Sequence, residues 1–265
     1  EQQLPKSIYV ENIGGAVTAT GLMQMTRARP DGHTVGVLTY DSVITLPRGK
    51  MVPGYSLEKM TPIARITREA DAIVVSKHAG YNSFEELINA AKAKPNTVRV
   101  GVAPKGSGPY LAVRRLEKQT GVSFNVITYP GSSSAEAEAL LSGELDAAIS
   151  SLGDFNGIIT SGDAKGVVEL SSQQNPSFPD VPPISTYGYD LETGSFILLA
   201  APKNTPKDSI ATLESAFKTA FDSKEFQSWV TTIGVTPSWL GSNEVQNWID
   251  ELQSSTFKVM DDLNL

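Results

Sequence analysis

The chain has 265 residues, a net charge of −7, two histidines and no cysteine. That balance disfavours nucleic acid, whose phosphates need clustered Lys and Arg. The missing thiols exclude disulfides, thiolate metal sites and cysteine nucleophiles. No run of about 18 apolar residues is present to span a bilayer.

Short apolar β-type runs alternate with helical patterns. The first strands are expected at Ile8–Val10 and Val35–Leu38, the second ending in the polar turn Thr39-Tyr40-Asp41-Ser42. After a strand at Ala72–Ser76, Ser83 and Glu86 form a capping box. Phe84, Leu87, Ile88 and Ala91 then follow at helical spacing. Strand Val98–Val102 runs into Gly106-Ser107-Gly108 and a helix to about Gln119. Strand Phe124–Thr128 runs through Tyr129 to Ser134 into a helix that Ser133 and Glu136 would cap and Gly143 would stop. Strands Leu145–Ile149, Gly166–Leu170 and Ser195–Ala201 follow. Thr205 reads as an N-cap with Pro206 at the first helical position. Ser242 opens a last helix with Val245, Trp248, Ile249 and Leu252 on one face. From Thr205 onward the pattern is nearly all helical.

Continuous apolar strands are those covered on both faces, and the β-α-β-α order implies doubly wound parallel sheets. The helical C-terminal segment is expected to pack back onto the N-terminal sheet. This predicts two α/β domains, residues 1–71 with 196–265 and residues 72–195. Crossing strands near 72–77 and 195–201 would make a hinge and an interdomain ligand cleft.

Glycine and serine at a helix N-terminus suit a carboxylate, because free N–H groups and the positive dipole end converge there. The candidate ligand residues are Gly106, Ser107 and Tyr110 in one loop, and Tyr129, Gly131, Ser132, Ser133 and Ser134 in the next. Thr39, Tyr40 and Ser42 form a third group, and Asp154 and Phe155 a fourth. Tyr40, Tyr110 and Phe155 are expected as apolar walls. The plainer readings stand beside these. One Gly-Ser junction is more often a simple cap, Asp154 would cap the next helix, and Thr39–Ser42 would be a turn leading to Pro47. His33 and His78 read as turn and solvated residues. There is no GxSxG, HExxH or GxxxxGK motif, and Gly106-Ser107-Gly108 lacks the third glycine of a dinucleotide fingerprint. No catalytic residue, metal or cofactor is expected.

An ordered series of motifs resembles one family. Val10-Glu11-Asn12 with Gly14-Gly15-Ala16, then Arg29-Pro30-Asp31-Gly32-His33-Thr34, is similar to the VEN-x-x-GA and PDG-[YH]-T pattern of tripartite tricarboxylate transporter substrate-binding proteins, the Bug family. The stretch from Leu57 to Ile63 is similar to its DFxPI segment, and the SFEELINAAKAKP of residues 83–95 to its S-x-x-ELIAxAKAxPG. Residues 106–112 and 129–131 match its GSG…HLA and PYKG loops. Residues 141–146, 179–182 and 201–206 match its LxGxVD, PDVPT and APxGTP. Tyr110 stands where the family often has His, and Gly131 where a Lys is usual. The resemblance implies a type II periplasmic binding protein of Venus-flytrap architecture, periplasmic or lipid-anchored outside the cytoplasm. It implies a di-, tri- or aromatic carboxylate as ligand and delivery to integral-membrane permease subunits. It also implies a strand, a Gly-Gly-x-x-Asp loop and an export signal ahead of Glu1. Two rival readings are an enzyme on the same two-lobed scaffold and a ligand-sensing partner of a sensor kinase. No nucleic-acid partner is expected.

Overall fold

The computed structural model describes all residues except 1–3, 5, 17, 51, 130–132 and 265. In chain order the elements are α1 (Ala19–Thr26), β1 (Gly36–Leu38), a π-helical turn (Asp41–Thr45), α2 (Leu46–Gly49), β2 (Met60–Ser76), α3 (Phe84–Ala93), β3 (Arg99–Val102) and α4 (Gly108–Thr120). There follow β4 (Asn125–Thr128), α5 (Ser133–Ser142), β5 (Ala147–Ser151), α6 (Asn156–Thr160), β6 (Ala164–Glu169), β7 (Gly194–Pro202), α7 (Lys207–Phe221), α8 (Lys224–Thr232), β8 (Pro237–Leu240) and α9 (Ser242–Asp262).

The chain divides into two compact units. Unit 1 comprises Glu1–Arg68, Phe196–Thr231 and Pro237–Asn264; unit 2 comprises Glu69–Ser195 and Thr232–Thr236. The first changeover falls between Arg68 and Glu69, within the 17-residue strand β2, three residues ahead of the expected boundary. The short segment Thr232–Thr236 is an excursion into unit 2 that the sequence pattern does not announce.

In unit 1, β7 lies between β1 and β2, and β1–β7 and β2–β8 are antiparallel. The strands of this unit are not all parallel, because β8 returns antiparallel beside β2. The strand β8 also corrects the all-helical reading of the C-terminal segment. The segment Ile8–Val10 is not a strand: Tyr9 is 85% and Val10 83% exposed. Three β-prone residues do not make a strand without a ladder to join. The core of this unit joins Ile63 and Ala64 of β2, Leu199 and Ala201 of β7, and Ile210 and Leu213 of α7. Pro206, not Thr205, occupies the N-cap position of α7. The Thr205 hydroxyl instead donates to the Pro202 carbonyl at 2.7 Å.

Unit 2 carries a mixed sheet. The strands β5, β3 and β4 are parallel neighbours, and β2 is antiparallel to both β5 and β6. Alternation along the second half of β2 explains why its run Ala72–Val75 is uninterruptedly apolar. Ile73 and Val75 enter one core with Phe84, Leu87 and Leu116, while Ala72 and Val74 enter another with Leu140, Leu145 and Phe155. The capping box forms with a shift of one residue. Ser83 Oγ accepts the Glu86 N–H at 3.2 Å, and Glu86 Oε2 accepts the Asn82 N–H at 2.7 Å.

Two close approaches require glycine. Gly194 has φ +152°, and a Cβ there would lie 2.0 Å from the Glu69 carbonyl oxygen. Where Thr232–Thr236 meets the rest of unit 2, a Cβ on Gly153 would meet the Ile233 carbonyl oxygen at 3.2 Å. One on Gly234 would meet the Phe178 ring at 3.1 Å.

Candidate functional site

The parallel register of unit 2 sets the geometry. Val102 pairs with Thr128 at the carboxyl ends of β3 and β4, and Gly101 pairs with Ala148 of β5. The loops after β3, β4 and β5 therefore leave the same end of the sheet. In open α/β sheets this end is where ligands bind. The loops are tied together at their base, where the Tyr129 N–H donates to the Val102 carbonyl at 2.9 Å.

In the first loop Gly106 has φ +92° and open space around its missing Cβ, a conformation that brings bare backbone to the surface. Ser107 is the N-cap of α4, its Oγ accepting the Tyr110 N–H at 3.2 Å. A hydroxyl used this way still has its own proton to donate. The Tyr110 ring is half-buried against the α3–α4 core and carries the Arg114 guanidinium 5.1 Å from its centroid.

In the second loop, Gly131 and Ser132 lie outside the described residues. Ser133 is the first residue of α5, a position inside the helix and not its cap, with Ser133 half-buried and Ser134 exposed. Tyr129 turns to the chain beyond α5, its hydroxyl donating to Glu144 Oε1 at 3.1 Å. Burial, and then that carboxylate, push the hydroxyl above its ordinary pKa. Tyr129 is thus a packing residue of this edge.

The third loop holds two corrections. Phe155 is 1% exposed and sits in the core with Leu140 and Leu152, so its ring is no ligand wall. Asp154 is exposed but does not cap α6. Its carboxylate accepts the Ser150 hydroxyl, and its N–H donates to Ser151 Oγ at 3.2 Å.

The unit 1 candidates form a separate hydroxyl knot. Ser42 is fully buried. Its Oγ accepts the Thr39 N–H at 3.1 Å and lies 3.1 Å from Thr18 Oγ1, and its carbonyl accepts the Tyr55 hydroxyl at 2.6 Å. Burial raises the Tyr55 pKa above its ordinary value. Ser42 therefore fixes the π-helical turn and presents no free hydroxyl. Tyr40 heads that turn and is half-buried.

Sequence reasoning passed over two buried acids of unit 2. Glu136 is 2% exposed, and its pKa is pushed from 4.5 to about 7 by burial, then by the charges of Asp154 and Asp71. Asp71 is 4% exposed and likewise stands at about 7. Burial dominates, the nearby Thr193 hydroxyl opposes it, and the Asp154 charge adds to it. Neither Asp71 Oδ2 nor Thr193 Oγ1 completes a hydrogen bond among the described residues. One signal was available: Asp71 heads an otherwise apolar strand run. Among the described residues no group of three or more His, Cys, Asp or Glu is arranged to hold a metal ion.

The sequence profile of the "Tripartite tricarboxylate transporter family receptor" matches residues 1–265. Protein BugT of Bordetella pertussis is 26% identical over 257 residues, covering 96% of this chain and 78% of BugT. A TctC solute-binding protein from Polaromonas superimposes with a TM-score of 0.83 at 26% identity, covering 98% of this chain and 89% of that one. MatC from Rhodopseudomonas palustris, solved with bound malate, shares the fold with a TM-score of 0.76 at 22% identity, covering 97% and 89% of the two chains. A profile matched from end to end, and a fold shared with these binding proteins, make the chain a member of the tripartite tricarboxylate transporter receptor family, solute-binding receptors of the type II periplasmic-binding fold and not enzymes.

Proposed function

We propose that this receptor captures a small carboxylate and presents it, outside the cytoplasm, to the membrane subunits of a tripartite tricarboxylate transporter. The observation that carries the reading is the Val102–Thr128 register. It ends β3 and β4 side by side, so that the helices that follow them, α4 and α5, start from the carboxyl ends of adjacent parallel strands. Such N-termini offer backbone donors and positive dipole ends to one anion. Bound malate in MatC, which shares this fold, supports a carboxylate as the ligand class. Site residues under this reading are Gly106, Ser107, Ser133 and Ser134, with Tyr110 alongside.

Ser133→Asp tests the reading. A negative charge in the first turn of α5 suits the helix dipole, so the fold should be kept. Facing a bound carboxylate, it should weaken binding by at least the about 1–3 kcal/mol of a charge-assisted hydrogen bond, roughly 5–150-fold. Calorimetry with malate, succinate, adipate and benzoate measures this. Unchanged affinity for an acid that does bind would remove the α5 loop from the site.

A further inference from the structure

Between α8 and β8 the chain joins unit 2 for five residues, Thr232–Thr236, and then returns to unit 1. This strap lies on the turn that follows β5, glycine against glycine. A Cβ on Gly153 would meet the carbonyl oxygens of Ile233 and Gly234 at 3.2 and 3.3 Å. One on Gly234 would meet the Gly153 Cα at 3.3 Å and the Phe178 ring at 3.1 Å. The neighbouring pairings close a circuit. Ser151 ends β5 and pairs with Asp71 of β2, Thr67 of the same strand pairs with Pro237, and Pro237 directly follows the strap. The turn after β5 leaves the end of the sheet from which the loops after β3 and β4 also leave. Little side chain holds the strap in place, since Ile233 is 37% exposed and the buried Gly234 has none. Segments with few buried apolar contacts are those that open while the rest of a protein stays folded.

We propose that the strap Thr232–Thr236 is a latch, seated on Gly153 and Phe178 when ligand occupies unit 2 and released more readily when it does not. This rests on the reading above, which brings a carboxylate to that end of the sheet. An anion held there fixes the turn after β5. A fixed turn gives the strap a firmer seat, and a seated strap fixes the turn in its ligand-binding form. The coupling is reciprocal: the factor by which ligand favours the seated strap is the factor by which unseating weakens ligand binding. The strap is continuous with α8 and β8 of unit 1, so its seating carries the occupancy of unit 2 into the other unit.

The test is hydrogen exchange of the full chain, with and without saturating malate, succinate, adipate or benzoate, beside calorimetry of two variants. Helix α3 is the internal reference for exchange. Gly153→Val loads the contact from the turn. Gly153 lies outside the left-handed region, so its own backbone accepts valine and the clash falls on the strap. Gly234→Ala loads the contact from the strap, where φ is +74°, and leaves every residue of the turn unchanged. A bound acid should slow exchange at residues 233–236 by about 5–150-fold, and each variant should lose affinity by a similar factor while cooperative unfolding is retained. Equal exchange at the strap with and without an acid that binds overturns the latch alone, as does unchanged affinity in either variant. The exchange measurement needs no variant, so it decides where one of them fails to fold. Binding of none of the four acids overturns the carboxylate reading and the latch with it.

Discussion

Glu136→Gln should change stability in a direction that runs against the usual behaviour of carboxylates. Glutamine has the shape of glutamic acid and no charge, so packing in the first turn of α5 is retained. In the folded protein burial, with Asp154 and Asp71, moves the Glu136 pKa from 4.5 to about 7. A raised acid pKa means that the folded state holds its proton more tightly than the unfolded state. The stability tied to that proton is intact below about pH 4.5 and is lost as pH rises toward 7. At about 1.4 kcal/mol per pH unit, the loss is on the order of 3 kcal/mol once the group has ionised in both states. The glutamine variant escapes it. Urea unfolding should find the variant more stable than the parent by on the order of 3 kcal/mol at pH 8, and by less than about 0.5 kcal/mol at pH 4.5, with unchanged m-values. A pH-independent difference, or a variant weaker at pH 8, would refute the picture of a buried carboxyl held near like charges.

Two other substitutions separate packing from binding. Phe155→Ala should cost about 3–5 kcal/mol in denaturant unfolding, since it empties a buried site; a loss of affinity at unchanged stability would return the ring to the ligand. Gly194→Ala should cost about 2–6 kcal/mol, with overpacking and backbone strain each contributing about 1–3. Its Cβ would lie 2.0 Å from a backbone oxygen, and normal thermal unfolding of that variant would show that the Glu69 segment can yield.

Helices and the strands of unit 2 were legible because local signals and burial agree. Ser83 caps α3, Gly143 stops α5, and the apolar runs at residues 72–76 and 98–102 are strands covered on both faces. Strand direction was not legible. Nothing in Pro237–Leu240 shows that it pairs antiparallel with Arg65 and Thr67, since register between segments some 170 residues apart is a tertiary matter. The loops that hold Ser107 and Ser133 were found because glycine and serine before a helix have a direct chemical meaning. Phe155 misled because an aromatic residue after a strand looks the same in sequence whether it faces a ligand or a core. Glu136 misled for the opposite reason: read as a cap, it is a buried acid whose surroundings come from β2 and from the loop after β5.

The excursion at Thr232–Thr236 makes the two units unequal as building blocks. A fragment spanning Glu69 to Ser195 contains every strand of the unit 2 sheet, yet it lacks the peptide that lies against Gly153 and Phe178. Excised on its own, it would bare backbone and an aromatic ring beside the loop that carries Asp154. Domain exchange between members of this family would meet the same obstacle. A chimaera that swaps residues 69–195 keeps the host's Ile233-Gly234 against a foreign partner, so compatible grafts must carry five residues from a distant part of the gene along with the lobe.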